Sequence, residues 1–127
     1  MKVLSISTGS RTDFVNITGL IQDAARELGV RDGALSVFVP HTTAGITINE
    51  NADPDVVRDI TTALDRLVPW RGDYHHGEGN SAAHIKASLM GSSIRVLVSG
   101  DRLLLGTWQG IYFCEFDGPR QREIWVS

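Results

Sequence analysis

One cysteine among 127 residues, Cys114, leaves the chain without an internal disulfide or a cysteine-rich metal site, and reads as a buried, inert thiol. Long apolar runs are missing too. None approaches the roughly 18 residues that a membrane-crossing helix needs. The opening residues Met1-Lys2-Val3-Leu4-Ser5 hold no apolar leader block. Positive charge is not in excess: 12 Lys and Arg against 15 Asp and Glu give a net charge of −3, which argues against a broad electrostatic grip on nucleic acid. No segment is low in complexity, no period repeats, and no Pro/Gly/Ser-rich linker divides the chain. The expectation is a cytoplasmic single domain over residues 1–127, with neither membrane nor nucleic acid as partner. What is present suffices for a core. Hydrophobic residues make up 42%, and a chain of this mass folds to roughly 6,700 Å² of surface against roughly 20,000 Å² unfolded.

Strands are expected at Met1 to Ser7, Phe14 to Ile17, Ala34 to Pro40 and Ala44 to Asn49. A helix starts near Thr18, with Leu20, Ile21, Ala24, Ala25 and Leu28 on one face and Gly29 as its stop. The second helix is the clearest element. Asp53 suits the N-cap and Pro54 the first helical position; Val56, Val57, Ile60, Ala63, Leu64 and Leu67 keep a 3.6-residue stripe, and Pro69 ends it. Residues 70 to 80 read as an irregular loop. A short helix from Ser81 to Leu89 is expected to turn Ala82, Ile85 and Leu89 inward, with Gly91 closing it. Four further strands follow, near Ser93 to Val98, Arg102 to Leu105, Gly110 to Phe116 and Arg120 to Val126. The third of these is apolar on both faces, Ile111 and Phe113 on one side and Tyr112, Cys114 and Phe116 on the other, so one face should meet the core and the other a second sheet or a subunit. The pattern predicts an α+β fold: antiparallel or mixed, sandwich-like sheets with two to three packed helices.

Chemistry concentrates in few places. Of four histidines, three fall within ten residues (His75, His76 and His84), and His41 follows Pro40 at a strand end. Three neutral imidazoles with an open position make a catalytic zinc site, but the spacing alone favours solvated loop histidines and one hydrogen-bonded His41. Glu50 shares strand parity with Ile46 and Ile48, which makes it a candidate base if buried and an ordinary solvated carboxylate if not. Glu115, between Cys114 and Phe116, must be paired if buried, with Arg120 or Arg122 as near partners. Gly77-Glu78-Gly79-Asn80 precedes a helix, and its Gly77, Gly79 and Asn80 can offer backbone N–H groups to an anion, weak grounds for a site alone.

Taken together, His41-Thr42-Thr43-Ala44, Asn49-Glu50-Asn51, Tyr74-x-His76, Gly79-Asn80, Ala83-His84-Ile85-Lys86, Leu105-Gly106-Thr107-Trp108-Gln109 and Glu115-Phe116-Asp117-Gly118-Pro119-Arg120 make the chain resemble the YjbQ-like family, described as secondary thiamine-phosphate synthases. The resemblance implies a homotrimer and a metal, zinc, held by His41, His76 and His84. It also implies Glu50 and Glu115 as carboxylates near the site and Arg120 as an anion partner. The implied reaction joins a pyrimidine pyrophosphate to a thiazole phosphate and releases pyrophosphate, so the expected partner is a small phosphorylated molecule. Pyrophosphate departure favours magnesium with oxygen ligands, whereas histidines suit zinc. Two other functions fit the same residues: a zinc-dependent hydrolase of a small phosphorylated or carbonyl substrate, and a non-catalytic trimeric ligand-binding module.

Overall fold

Side-chain alternation decides which face of each strand is covered, and a computed structural model that describes all 127 residues shows where those faces meet. In chain order the elements are β1 (Lys2–Ser7), β2 (Asp13–Asn16), α1 (Thr18–Glu27), β3 (Gly33–Phe38), β4 (Ala44–Glu50), α2 (Pro54–Leu67), α3 (Ser81–Met90), β5 (Ser93–Ser99), β6 (Arg102–Leu103), β7 (Gln109–Glu115) and β8 (Gln121–Val126). They form one α+β domain with two sheets, ordered β1-β8-β3-β5-β6 and β2-β7-β4. Every strand pair is antiparallel. No helix is long and apolar enough to cross a membrane.

The main core lies between the sheets. Ile6, Leu35, Val37, Val96, Val98, Ile124 and Val126 from the large sheet meet Ala44, Ile46, Ile111 and Phe113 from the small one, and α1 adds Ile21, Ala24 and Ala25. Strand β7 is covered on both faces, as its sequence predicts, but helices and not a second sheet or a subunit cover the face of Tyr112 and Cys114. Tyr112, Cys114 and Phe116 enter a second cluster with Leu64 of α2 and Ala83 and Ala87 of α3. Asp53 caps α2 by accepting from the Asp55 N–H at 2.9 Å. Gly29 follows α1 with a φ of 72°, the left-handed conformation that ends helices.

Helix α3 departs from expectation. Its covered residues are Ala82, Ala83, Lys86 and Ala87, whereas Ile85 and Leu89 are exposed. The small residues face inward because the helix lies almost on the backbone of β4. A Cβ on Gly45 would come within 2.8 Å of the Gly91 carbonyl and 2.9 Å of Met90 Cβ. Close approach therefore outweighed hydrophobicity in choosing the face. The helix N-cap is Asn80, one residue before Ser81, and its side chain makes no capping bond. Leu20 of α1 and Leu67 of α2, both assigned to apolar stripes, are also exposed.

Candidate functional site

A cavity of about 700 Å³ opens where the β3–β4 connection, the loop before α3 and the β7–β8 turn converge. His41, Thr42 and Thr43 reach it from the first, His76, Glu78 and Asn80 from the second, and Asp117, Arg120 and Arg122 from the third and the start of β8. His84 projects into it from α3. The lining is polar and carries two arginines and three histidines.

One wall is built around a buried ion pair. Glu115 is fully buried and Arg122 is 4% exposed. Glu115 Oε1 accepts from Thr8 Oγ1 and from Arg122 Nε, each at 2.8 Å, and its Oε2 accepts from Arg122 Nη2. The same Oε2 accepts from the backbone N–H groups of Phe116 at 3.1 Å and Asp117 at 3.0 Å. Burial pushes the carboxyl pKa up, but the bonds from Arg122, Asp117 and Thr8 outweigh it and hold the value below the ordinary range. With both oxygens accepting hydrogen bonds, the Glu115 carboxylate fixes Arg122 and the turn after β7. Arg122 Nη2 also donates to Thr43 Oγ1 at 2.8 Å. Its Nη1 bonds to no protein group and keeps two donors for the cavity that Arg122 lines.

Arg120 stands at the rim, half exposed. Its Nε donates to the Asp117 carbonyl at 2.9 Å and its Nη2 to Asp117 Oδ2 at 3.0 Å. Asn80 Nδ2 donates to the same Oδ2 at 2.9 Å. A carboxylate cannot donate, so that bond fixes the amide orientation and leaves Asn80 Oδ1 buried without a partner. Such an acceptor calls for an N–H or O–H from water or a ligand.

The histidines share the cavity on unequal terms. His76 and His84 meet edge to face with ring centroids 5.4 Å apart. His41 is tied to β8, its Nε2 accepting from the Glu123 N–H at 2.9 Å. Burial and the neighbouring Arg122 charge lower its pKa below 6.5, against an opposing pull from the Glu115 and Glu123 carboxylates. A neutral ring that accepts at Nε2 carries its proton on Nδ1, so His41 presents a donor and not a lone pair. No three His, Cys, Asp or Glu side chains are arranged to hold a metal ion. The three histidines thus line one cavity without forming a ready ligand set. Two smaller cavities adjoin it, one lined by His75 and His76, the other by His41, and His84 lines both.

The remaining candidates fall elsewhere. Glu50 ends β4, whose first residue Ala44 adjoins the cavity, and seven residues of strand put it about 20 Å away. It is half-buried, and its Oε2 accepts from the Asp53 N–H at 3.3 Å ahead of α2. Of the glycine-rich loop, Asn80 lines the cavity while Gly77 and Gly79 do not, and the Gly79 N–H is spent on the His76 carbonyl at 3.2 Å. Sequence reasoning offered Arg122 only as a partner for Glu115 and gave Thr43 and Asp117 no role at the site. The usable signal was parity: Arg122 shares the inward face of β8 with Ile124 and Val126.

Residues 2–127 match the model of the family described as UPF0047 protein YjbQ-like. The UPF0047 protein YugU of Bacillus subtilis (strain 168) is 50% identical over 128 residues, covering 100% of this chain and 97% of its own. The UPF0047 protein MJ1081 of Methanocaldococcus jannaschii is 54% identical over 122 residues, covering 96% and 88%. Among solved structures, a YjbQ/UPF0047-family protein from Clostridium acetobutylicum superposes with a TM-score of 0.97 at 58% identity, covering 100% of this chain and 98% of that one. A conserved hypothetical protein from Thermus thermophilus does so with a TM-score of 0.93 at 43% identity, covering 100% and 98%.

Proposed function

The chain belongs to the YjbQ-like UPF0047 family, and for this member we propose that the histidine- and arginine-lined cleft binds a small phosphorylated molecule and acts on its phosphate ester or pyrophosphate. The observation that carries this reading is that Arg120 and Arg122 line one cavity together with His41, His76 and His84. Arg122 is held in place before any ligand arrives, and a donor oriented in advance costs no reorganisation as charge develops on a leaving group. Arg120 Nη1 and Arg122 Nη1 are the donors left over for that charge. His76 and His84 supply imidazoles, the side chain most often used to transfer a proton to or from a reacting group.

In its most specific form the reaction joins a pyrimidine pyrophosphate to a thiazole phosphate. The carbon–oxygen bond to pyrophosphate breaks as the bond to the thiazole nitrogen forms, and the arginines receive the departing anion. Hydrolysis of a small phosphorylated substrate is the second reading, favoured by the facing imidazoles. Zinc belongs to that second reading. His76 and His84 would supply two nitrogens, and His41 would join only by releasing Glu123. A homotrimer is part of the proposal as well. Val3, Trp125 and Phe38 lie side by side on the outer face of the large sheet, Phe38 stacks on Trp125 at 5.7 Å, and Phe38 also borders the cleft.

Calorimetric titration with inorganic pyrophosphate tests the binding claim. Saturable binding by the wild type, weakened roughly tenfold or more in Arg120→Ala, is expected from the loss of a charge-assisted contact. Identical titrations for the two proteins would defeat it. Incubation with the pyrimidine and thiazole pair, reading pyrophosphate release, separates the synthase from the hydrolase, which needs no second organic substrate.

A further inference from the structure

A further cavity, of about 380 Å³, shares no residue with the cleft. Arg11, Thr12, Asp65, Pro69, Trp70 and Lys86 wall it. Lys86 is 3% exposed, an unusual depth for an ammonium group. Its only hydrogen-bond partner is Asp65 Oδ1, on a side chain that is 58% exposed. One of three N–H donors is thereby used and two remain. Arg11 is the less satisfied of the two cations. Its guanidinium lies over the Trp70 ring, 4.2 Å from the centroid, with no carboxylate at ion-pair distance and no side-chain hydrogen bond. Ring stacking uses the face of the guanidinium and leaves its edge donors directed outward.

The formal charges on this wall sum to one positive: Arg11 and Lys86 against Asp65. A planar fork on one side and a desolvated ammonium on the other form a receptor for paired oxygens. We propose that this cavity is a second ligand site, taking a small oxyanion of the carboxylate or phosphate class between Arg11 and Lys86. The bound oxygens complete the donor set of Lys86 and neutralise the surplus charge, and Trp70 keeps the Arg11 fork in place. Main chain joins the site to the cleft. Gly118 N–H donates to the Arg11 carbonyl at 3.1 Å, in the turn that carries Asp117 and Arg120.

The test is the Trp70 indole N–H signal in a proton–nitrogen NMR spectrum, followed during titration with inorganic phosphate and, separately, acetate. Ionic strength is held constant with sodium chloride. Arg120→Ala removes the cleft's own anion contact, and Arg11→Gln removes the exposed half of the second site without disturbing a buried group. Expected is a saturable shift of Trp70 in the wild type and in Arg120→Ala, with affinity reduced roughly ten- to a hundredfold in Arg11→Gln. Whichever anion saturates at lower concentration assigns the class. A Trp70 signal that does not move in the wild type, or that moves equally in Arg11→Gln, would overturn the proposal.

Discussion

Replacing Glu115 by Gln keeps the shape of the side chain and deletes its charge. The carboxylate accepts five hydrogen bonds, from Thr8, two nitrogens of Arg122, and the N–H groups of Phe116 and Asp117. An amide has one acceptor oxygen and one donor nitrogen, so Arg122 would confront another donor in either orientation, joined by the two backbone N–H groups in one and by Thr8 in the other. The buried guanidinium meanwhile loses its counter-charge. Orphaning one partner of a buried pair costs about 3–5 kcal/mol. For a chain of this size that lowers the melting temperature by roughly 10–20 °C. Thermal and urea unfolding followed by circular dichroism give the number directly. The effect also has a pH signature. Hydrogen bonds hold the folded carboxyl below its ordinary value of 4.5, so the unfolded chain binds that proton more tightly. The stabilisation is complete above 4.5 and is lost as pH falls through the folded value. The gap between wild type and Glu115→Gln should therefore close in acid. A double variant, Glu115→Gln with Arg122→Met, should recover part of the loss, because the stranded cation is gone. A single variant within about 1 kcal/mol of wild type at neutral pH would refute the reasoning.

Three further outcomes are expected. Gly45→Ala should destabilise by about 1–3 kcal/mol in denaturant titration, since its Cβ meets the Gly91 carbonyl at 2.8 Å and α3 must shift to admit it. Leu89→Ser should change stability by no more than about 0.5 kcal/mol in the same assay, because Leu89 is exposed; a loss of core-like size would show that this face of α3 is covered. Elemental analysis of wild type and His84→Ala separates the zinc-dependent reading from the arginine-centred one. About one zinc per chain, abolished in the variant, supports the former; a metal-free wild type that still binds pyrophosphate supports the latter.

The elements were legible where local rules and tertiary demands agreed. Asp53 and Pro54 mark the start of α2 because cap and first-turn geometry are properties of a few adjacent residues. The double burial of β7 shows in an unbroken apolar run. The inward face of α3 was not legible. Nothing in Ser81 to Met90 signals that Gly45, far away in sequence, draws the helix down onto alanines and buries Lys86 against Asp65. The site divided in the same way. His41, His76, His84, Asn80 and Arg120 do line one cavity, whereas Glu50 follows strand parity into partial burial at the wrong end of β4. Parity reports a face and says nothing of distance along the strand.

Strand β1 has a single neighbour, β8, and Thr8 bonds to Glu115 and Arg120 across more than a hundred residues of chain. Such long-range closure is entropically costly early in folding and slows it relative to chains rich in local contacts. The same late strand supplies Arg122 to Thr43 and the Glu123 N–H to His41. Strand β8 must therefore join the sheet before any cleft exists, and a partly folded chain has neither its oriented arginine nor its fixed imidazole. Ligand binding at the cleft would then report completed folding, and partly folded chains would be inert toward the substrate by construction.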